Sequence, residues 1–151
     1  MIITNKLKLY LLIMLILFSC SKEEKSFLIN LENKIEQQQD STIISINKLT
    51  NFEWDTLYIF KPYTSNDFIN NFLNKPDWLN PESSSIIGSE SYTLFVFKRK
   101  NEIVNDFMVP RKISKEFGFL NVIKYNKKDA IFLSIKDDYV IKNIDSGRVP
   151  I

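Results

Sequence analysis

The sequence predicts an α+β fold, a single curved antiparallel sheet of about five to six strands with one or two helices packed on one face. Three observations carry the prediction. Short runs rich in β-branched and aromatic residues follow one another across turn-sized gaps, which favours antiparallel neighbours. Two other segments place their apolar residues at helical spacing. The chain of 151 residues shows no repeat, heptad run or long low-complexity tract, and its length suits one domain of roughly 100–200 residues.

Taken in chain order, residues 1–19 read as an export signal, residues 20–26 as a polar tether and residues 27–151 as the folded domain. Leu28, Leu31 and Ile35 fall on one helical face behind a possible Ser26 cap and predict a helix over Phe27–Gln38. Thr42–Leu49 and Trp54–Phe60 read as strands, with Asn51 in the turn between them. Thr64 or Ser65 caps a second helix with the apolar face Phe68, Ile69, Phe72 and Leu73, stopped by Pro76. Tyr92–Lys98 and Ile103–Val109 form a hairpin around Lys100-Asn101-Glu102, closed by Pro110. A helical turn at Ser114–Phe117 leads to a strand at Phe119–Tyr125. Ala130–Lys136 and Tyr139–Ile144 make a last hairpin through Asp137-Asp138.

Composition excludes several chemistries. There is no histidine, which removes Ser-His-Asp and Cys-His pairs and imidazole metal ligands. A single cysteine supports neither a disulfide framework nor a cysteine zinc site. Gly88, Gly118 and Gly147 lie too far apart for a P-loop or a G-x-G-x-x-G turn. No metal or cofactor is expected. Beyond residue 19 the basic and acidic side chains balance, so nothing points to nucleic acid. Their distribution is uneven: Cys20–Ser91 holds 6 basic and 11 acidic residues, whereas Tyr92–Lys128 holds 9 and 3. Lys98-Arg99-Lys100, Arg111-Lys112 and Lys127-Lys128 suit anionic lipid or an acidic partner, although solvated strand ends are the commoner explanation of such clusters.

The amino terminus carries the sharpest motif. Lys6 and Lys8 precede an apolar run from Leu9 to Phe18, which as a helix is about 15 Å long, half a bilayer core. The run ends in Leu17-Phe18-Ser19-Cys20, which resembles the lipobox of bacterial lipoproteins. The resemblance implies cleavage between Ser19 and Cys20 and acylation of Cys20. Two or more acyl chains hold a protein on a bilayer stably, at about 0.8 kcal/mol per buried methylene. Ser21-Lys22-Glu23-Glu24 resembles the acidic export tag of surface lipoproteins in one group of Gram-negative bacteria. The expected location is the cell envelope, in a Gram-negative host the outer membrane on either its periplasmic or its surface side.

The densest local signal is Phe52–Ser65. Leu57 and Ile59 face one side of its strand and Trp54, Tyr58 and Phe60 the other, so the strand is buried on both faces and central. Its Trp-Asp, aromatic strand, Pro-Tyr and helix resemble a set of small bacterial lipoproteins and exported proteins, most clearly over Phe52–Leu73. That resemblance implies a lipoprotein domain and transfers no catalytic residue. Trp54, Tyr58, Tyr63 and Trp78 are the candidate binding aromatics, suited to a sugar, a peptide or a partner strand. Core packing competes for all four and carries more weight. Asp55 is the candidate polar residue, with acceptance of hydrogen bonds from the neighbouring turn favoured over chemistry.

The expected function is a non-catalytic, membrane-anchored binding module of the envelope, with inhibitor or immunity roles compatible. Its partners are the membrane, through lipid on Cys20, and an envelope or secreted protein. One alternative is a small glycan hydrolase using Asp55 with Glu53, Glu82 or Glu90, since glycosidases need two carboxylates about 5–9.5 Å apart. A purely structural envelope protein is the other. Nothing in the spacing selects a carboxylate pair.

Overall fold

The computed structural model describes residues 20–37, 41–78, 83–114, 117, 124–135 and 140–143. Helix α1 (Cys20–Glu36) is followed by strand β1 (Ser41–Ser45), a 3-10 turn at Ile46–Lys48 and strand β2 (Thr56–Phe60). Helix α2 (Asn66–Leu73) and a second 3-10 turn (Ser83–Gly88) lead to β3 (Tyr92–Arg99) and β4 (Glu102–Pro110). A single helical turn, α3 (Arg111–Ser114), precedes β5 (Lys124–Asn126), β6 (Ile131–Ile135) and β7 (Val140–Asn143).

The class is α+β with antiparallel strands and helices packed on them. The strands divide between two ladders rather than one, a sheet of order β4-β3-β2-β5 and a sheet of order β1-β6-β7. The change of sheet happens in the turn after β5. Asn126 still pairs with Thr56 of β2, whereas Ile131, five residues on, pairs with Ser45 of β1. Consecutive strands β1 and β2 therefore belong to different sheets.

The two helices also take opposite faces of the larger sheet. On one face, Phe27 and Leu31 of α1 meet Leu57, Ile59, Phe95, Phe97, Phe107 and Val109, with Ile44 and Phe132 of the smaller sheet. On the other, Ile69 and Leu73 of α2 and Ile86 cover Tyr58, Phe60, Leu94, Val96 and Met108. The physical reason is in β2 and β3: both have apolar residues on successive positions, and a sheet apolar on two sides needs two covers.

Two irregularities set which side chains face which core. Asp55 donates its backbone N–H to the Lys98 carbonyl at 2.8 Å, although the partner of Lys98 in the ladder is Thr56. Two residues thus oppose one, the signature of a β-bulge, and the alternation slips by one. Trp54 consequently lies in the α1 core with Leu57 and Ile59, not with Tyr58 and Phe60 as simple alternation predicts. A second slip between Phe97 and Lys98 leaves Val104 as the extra residue of β4.

Several boundaries differ from expectation. Helix α1 begins at Cys20 and runs through residues 20–26, upstream of the expected start at Phe27. A one-turn helix stands at Arg111–Ser114, where Arg111 N–H is held by the Ser91 carbonyl at 2.7 Å and turns the chain directly after Pro110. The expected turn at Ser114–Phe117 falls partly on residues 115–116, outside the described residues. Of the strand expected at Phe119–Tyr125, Lys124 and Tyr125 stand in β5, and residues 118–123, like Asp137-Asp138, lie outside the described residues. Ser65 is the cap of α2, its hydroxyl accepting from Phe68 N–H, and Asn74 ends that helix in the left-handed conformation.

Candidate functional site, an aromatic ridge on helix α2

The aromatics expected to line one groove are dispersed. Trp54 is buried in the α1 core, where its indole N–H donates to Thr50 Oγ1 at 2.9 Å and Lys127 Nζ lies 5.8 Å from the ring. Tyr58 is buried in the α2 core. Trp78 is half-buried against that same core. Tyr63 alone of the four stands in solvent, 59% exposed. Its backbone is left-handed (φ 63°), its N–H is held by the Ile86 carbonyl, and its hydroxyl donates to Glu90 Oε2 at 3.1 Å. Partial desolvation and that hydrogen bond raise the phenol pKa above its ordinary value.

What faces solvent instead is the outer edge of α2. Phe68, Ile69, Phe72 and Leu73 span an arc of about 140° at 3.6 residues per turn. Ile69 and Leu73 at one side of that arc are fully buried, while Phe68 and Phe72 at the other remain 45% and 44% exposed. Phe72 meets Tyr58 and Phe60 edge-on at 5.9 and 6.0 Å, and Phe68 stacks on Phe72 at 5.5 Å. A chain of rings thus leads from the core outward, holding the two exposed rings in defined positions. Sequence periodicity treats all four α2 residues as core. The available signal is the width of the arc, too broad for a two-turn helix to bury against one sheet face.

The carboxylates considered for chemistry are engaged in structural contacts. Asp55 Oδ2 accepts the N–H of Lys100 at 2.6 Å, and Lys100 is left-handed (φ 56°) in the β3–β4 turn. Glu53 pairs with Lys127 at 3.2 Å. Glu90 bridges Tyr63 and, at 4.0 Å, Arg111. Glu82 lies outside the described residues. Sequence reasoning missed the part-buried pair of Ser83 and Asp106, in which the hydroxyl donates to Oδ2, because their 23-residue separation has no motif. Among the described residues no cluster of three or more His, Cys, Asp or Glu is placed to hold a metal ion, and no helix is long and apolar enough to cross a membrane.

A comparison of the chain with protein-family models, with curated proteins and with solved structures finds no match. The ridge offers flat apolar rings on helix α2 with the exposed Asn71 at its side, whereas Asn66 and Asn70 stand on the opposite side of the helix. The Oδ1 atoms of Asn66 and Asn70 are buried without a hydrogen-bond partner among the described residues. Exposed aromatic area of this kind is a surface that suits association.

Proposed function

We propose that this protein is a non-catalytic binding module of the bacterial cell envelope, tethered to a membrane by lipid on Cys20, and that Phe68 and Phe72 are the centre of its protein-binding surface. The observation that carries the reading is the solvent exposure of two stacked phenyl rings fixed against Tyr58 and Phe60. Fixed aromatic anchors lose little conformational entropy on association and dominate binding energy where they occur. Leu17, Ser19 and the chain's single cysteine support the lipid anchor.

The test places a photo-crosslinking residue at Phe72 and, as a control, at Ile29, which is exposed on α1. In intact cells the Phe72 probe is expected to yield one discrete adduct that the Ile29 probe does not. Phe68→Ser should remove the adduct without unfolding the protein. Identical adducts from both positions, or none, would overturn the ridge as a binding surface. The anchor is tested separately, since Cys20→Ala is expected to abolish acylation and membrane retention.

A further inference from the structure

We propose that the pole of the domain built from the β3–β4 tip and the β5–β6 turn docks on anionic lipid head groups beside the anchor. This rests on the lipid-anchor reading above. Register places the pieces together: Thr56 pairs with Lys98 on one side and Asn126 on the other, so the tip Lys100-Asn101 and the turn Lys127–Asp129 leave the same end of the sheet.

Asp55 clamps the two basic segments side by side. Its N–H donates to the Lys98 carbonyl, its carboxylate accepts from Lys100 N–H, and its carbonyl accepts from Lys127 N–H at 2.8 Å. The clamp leaves an excess of positive charge in solvent. Glu102 is paired with Lys75 and Glu53 with Lys127. Although Asp55 and Asp129 keep their charge while accepting from neutral N–H groups, the five cations Arg99, Lys100, Lys124, Lys127 and Lys128 exceed the three carboxylates Glu53, Asp55 and Asp129 by two. Arg99, Lys100, Lys124 and Lys128 are exposed and make no ion pair among the described residues.

Helix α1 brings the anchor to this pole. Phe27 stacks on Phe107 at 4.8 Å and meets Phe97 at 5.6 Å, whereas Glu32, further along, pairs with Lys112 beyond the opposite end of β4. The helix therefore runs away from the tip, and its amino end points towards it. Seven residues separate Cys20 from Phe27, about 10 Å of helix, and three separate Phe97 from Lys100, about 10 Å of strand. Lipid on Cys20 and the unpaired cations would meet the bilayer at one level. Lys22, Glu23, Glu24 and Lys25 sum to no formal charge. Basic side chains next to a lipid anchor supply the second attachment that anionic membranes recognise. In this orientation Tyr63, at the far end of the sheet, points away from the membrane and the α2 ridge stands on the flank.

The experiment uses the full lipidated protein with a donor fluorophore on Asn101→Cys at the tip or, as a control, Ile87→Cys, the acceptor being carried on lipid head groups. Acylation of Cys20 leaves the introduced thiol as the single labelling site. Moving from phosphatidylcholine vesicles to vesicles that also contain phosphatidylglycerol should raise transfer from the tip severalfold relative to the control. The rise should vanish in R99Q/K100Q/K124Q/K128Q and at about 1 M salt, where the screening length falls to roughly 3 Å. Transfer from an anchored protein that does not respond to anionic lipid would overturn the docking, leave the anchor standing, and assign the basic pole to an acidic protein instead. A chain lacking acyl mass at Cys20 and not retained on vesicles would overturn both.

Discussion

Lys98 Nζ lies 3.1 Å from the carbonyl oxygen of Leu73, the last residue of α2. A cation rising from the centre of the sheet thus closes the helix that covers it, satisfying a carbonyl left without an intrahelical partner and opposing the negative end of the helix dipole. Lys98 is only 5% exposed, and burial followed by the nearby Lys75 holds its pKa below the ordinary lysine value. A hydrogen bond from a charged group contributes about 1.5–3 kcal/mol, part of which the desolvated ammonium gives back. Lys98→Met is therefore expected to lose about 1–2 kcal/mol in urea unfolding. Amide exchange should accelerate in α2 more than in β3. Unchanged stability would show that the contact contributes nothing.

Asp55 gives a second prediction, one that separates turn chemistry from catalysis. Removing its carboxylate leaves Lys100 N–H without its 2.6 Å acceptor in a turn that already holds Lys100 left-handed. Asp55→Ala should cost about 1–2 kcal/mol, and Asp55→Asn, which keeps an acceptor oxygen, less. Thermal unfolding of the pair measures the order. An Asp55 reserved for glycan hydrolysis would show no loss of stability in either variant.

Trp54 and Phe72 should behave oppositely although both are large aromatics. Trp54→Ala empties a fully buried site and loses an indole hydrogen bond, for an expected cost of about 3–5 kcal/mol. Phe72→Ser acts on a ring that is nearly half exposed and should cost about 1 kcal/mol or less. Partner binding, followed by crosslinking from a photo-reactive residue at Phe68, should nevertheless fall with Phe72→Ser. Equal destabilisation by the two would place Phe72 in the core.

Alkaline stability tests Tyr125. Burial pushes its phenol up to about 12, from an ordinary value of 10.0. A folded-state pKa above the unfolded one gives stability that is complete below pH 10 and lost as pH climbs towards 12, because the unfolded chain ionises first. In urea titrations the stability gap between the natural protein and Tyr125→Phe should shift against the natural protein as pH rises through 10. A gap constant over that range would contradict the buried neutral phenol.

Much of this architecture is legible in local sequence. The Ser65 cap, the Lys100-Asn101 turn and the doubly apolar β2 follow from cap preference, turn chemistry and unbroken apolar runs. Where expectation and structure part, the cause is non-local. The face taken by Trp54 depends on the Asp55 bulge against Lys98, which alternation within one strand does not contain. The placement of α1 and α2 on opposite faces was implicit in β2, whose two apolar sides each need a cover. The exposed edge of α2 was hidden in an arc wider than its short helix can bury.

By itself, the sequence determined the class of the fold, the doubly apolar β2, the Ser65 cap and the chemistry excluded by the absence of histidine, since these depend on residue type and near-neighbour spacing. Ser26, by contrast, caps nothing because α1 runs through it, and Ile46–Lys48 of the expected strand Thr42–Leu49 form a 3-10 turn. Tertiary structure alone decided which aromatics remain available to a partner and where the charges gather. Phe72 and Trp54 carry comparable apolar signals, and only the packing of a short helix on one face and of α1 on the other makes one solvent-facing and the other core. Likewise Lys100 and Lys128 stand 28 positions apart in the chain. They become one basic pole because antiparallel register returns β3 and β5 to the same end of the sheet, where Asp55 ties both turns to β2.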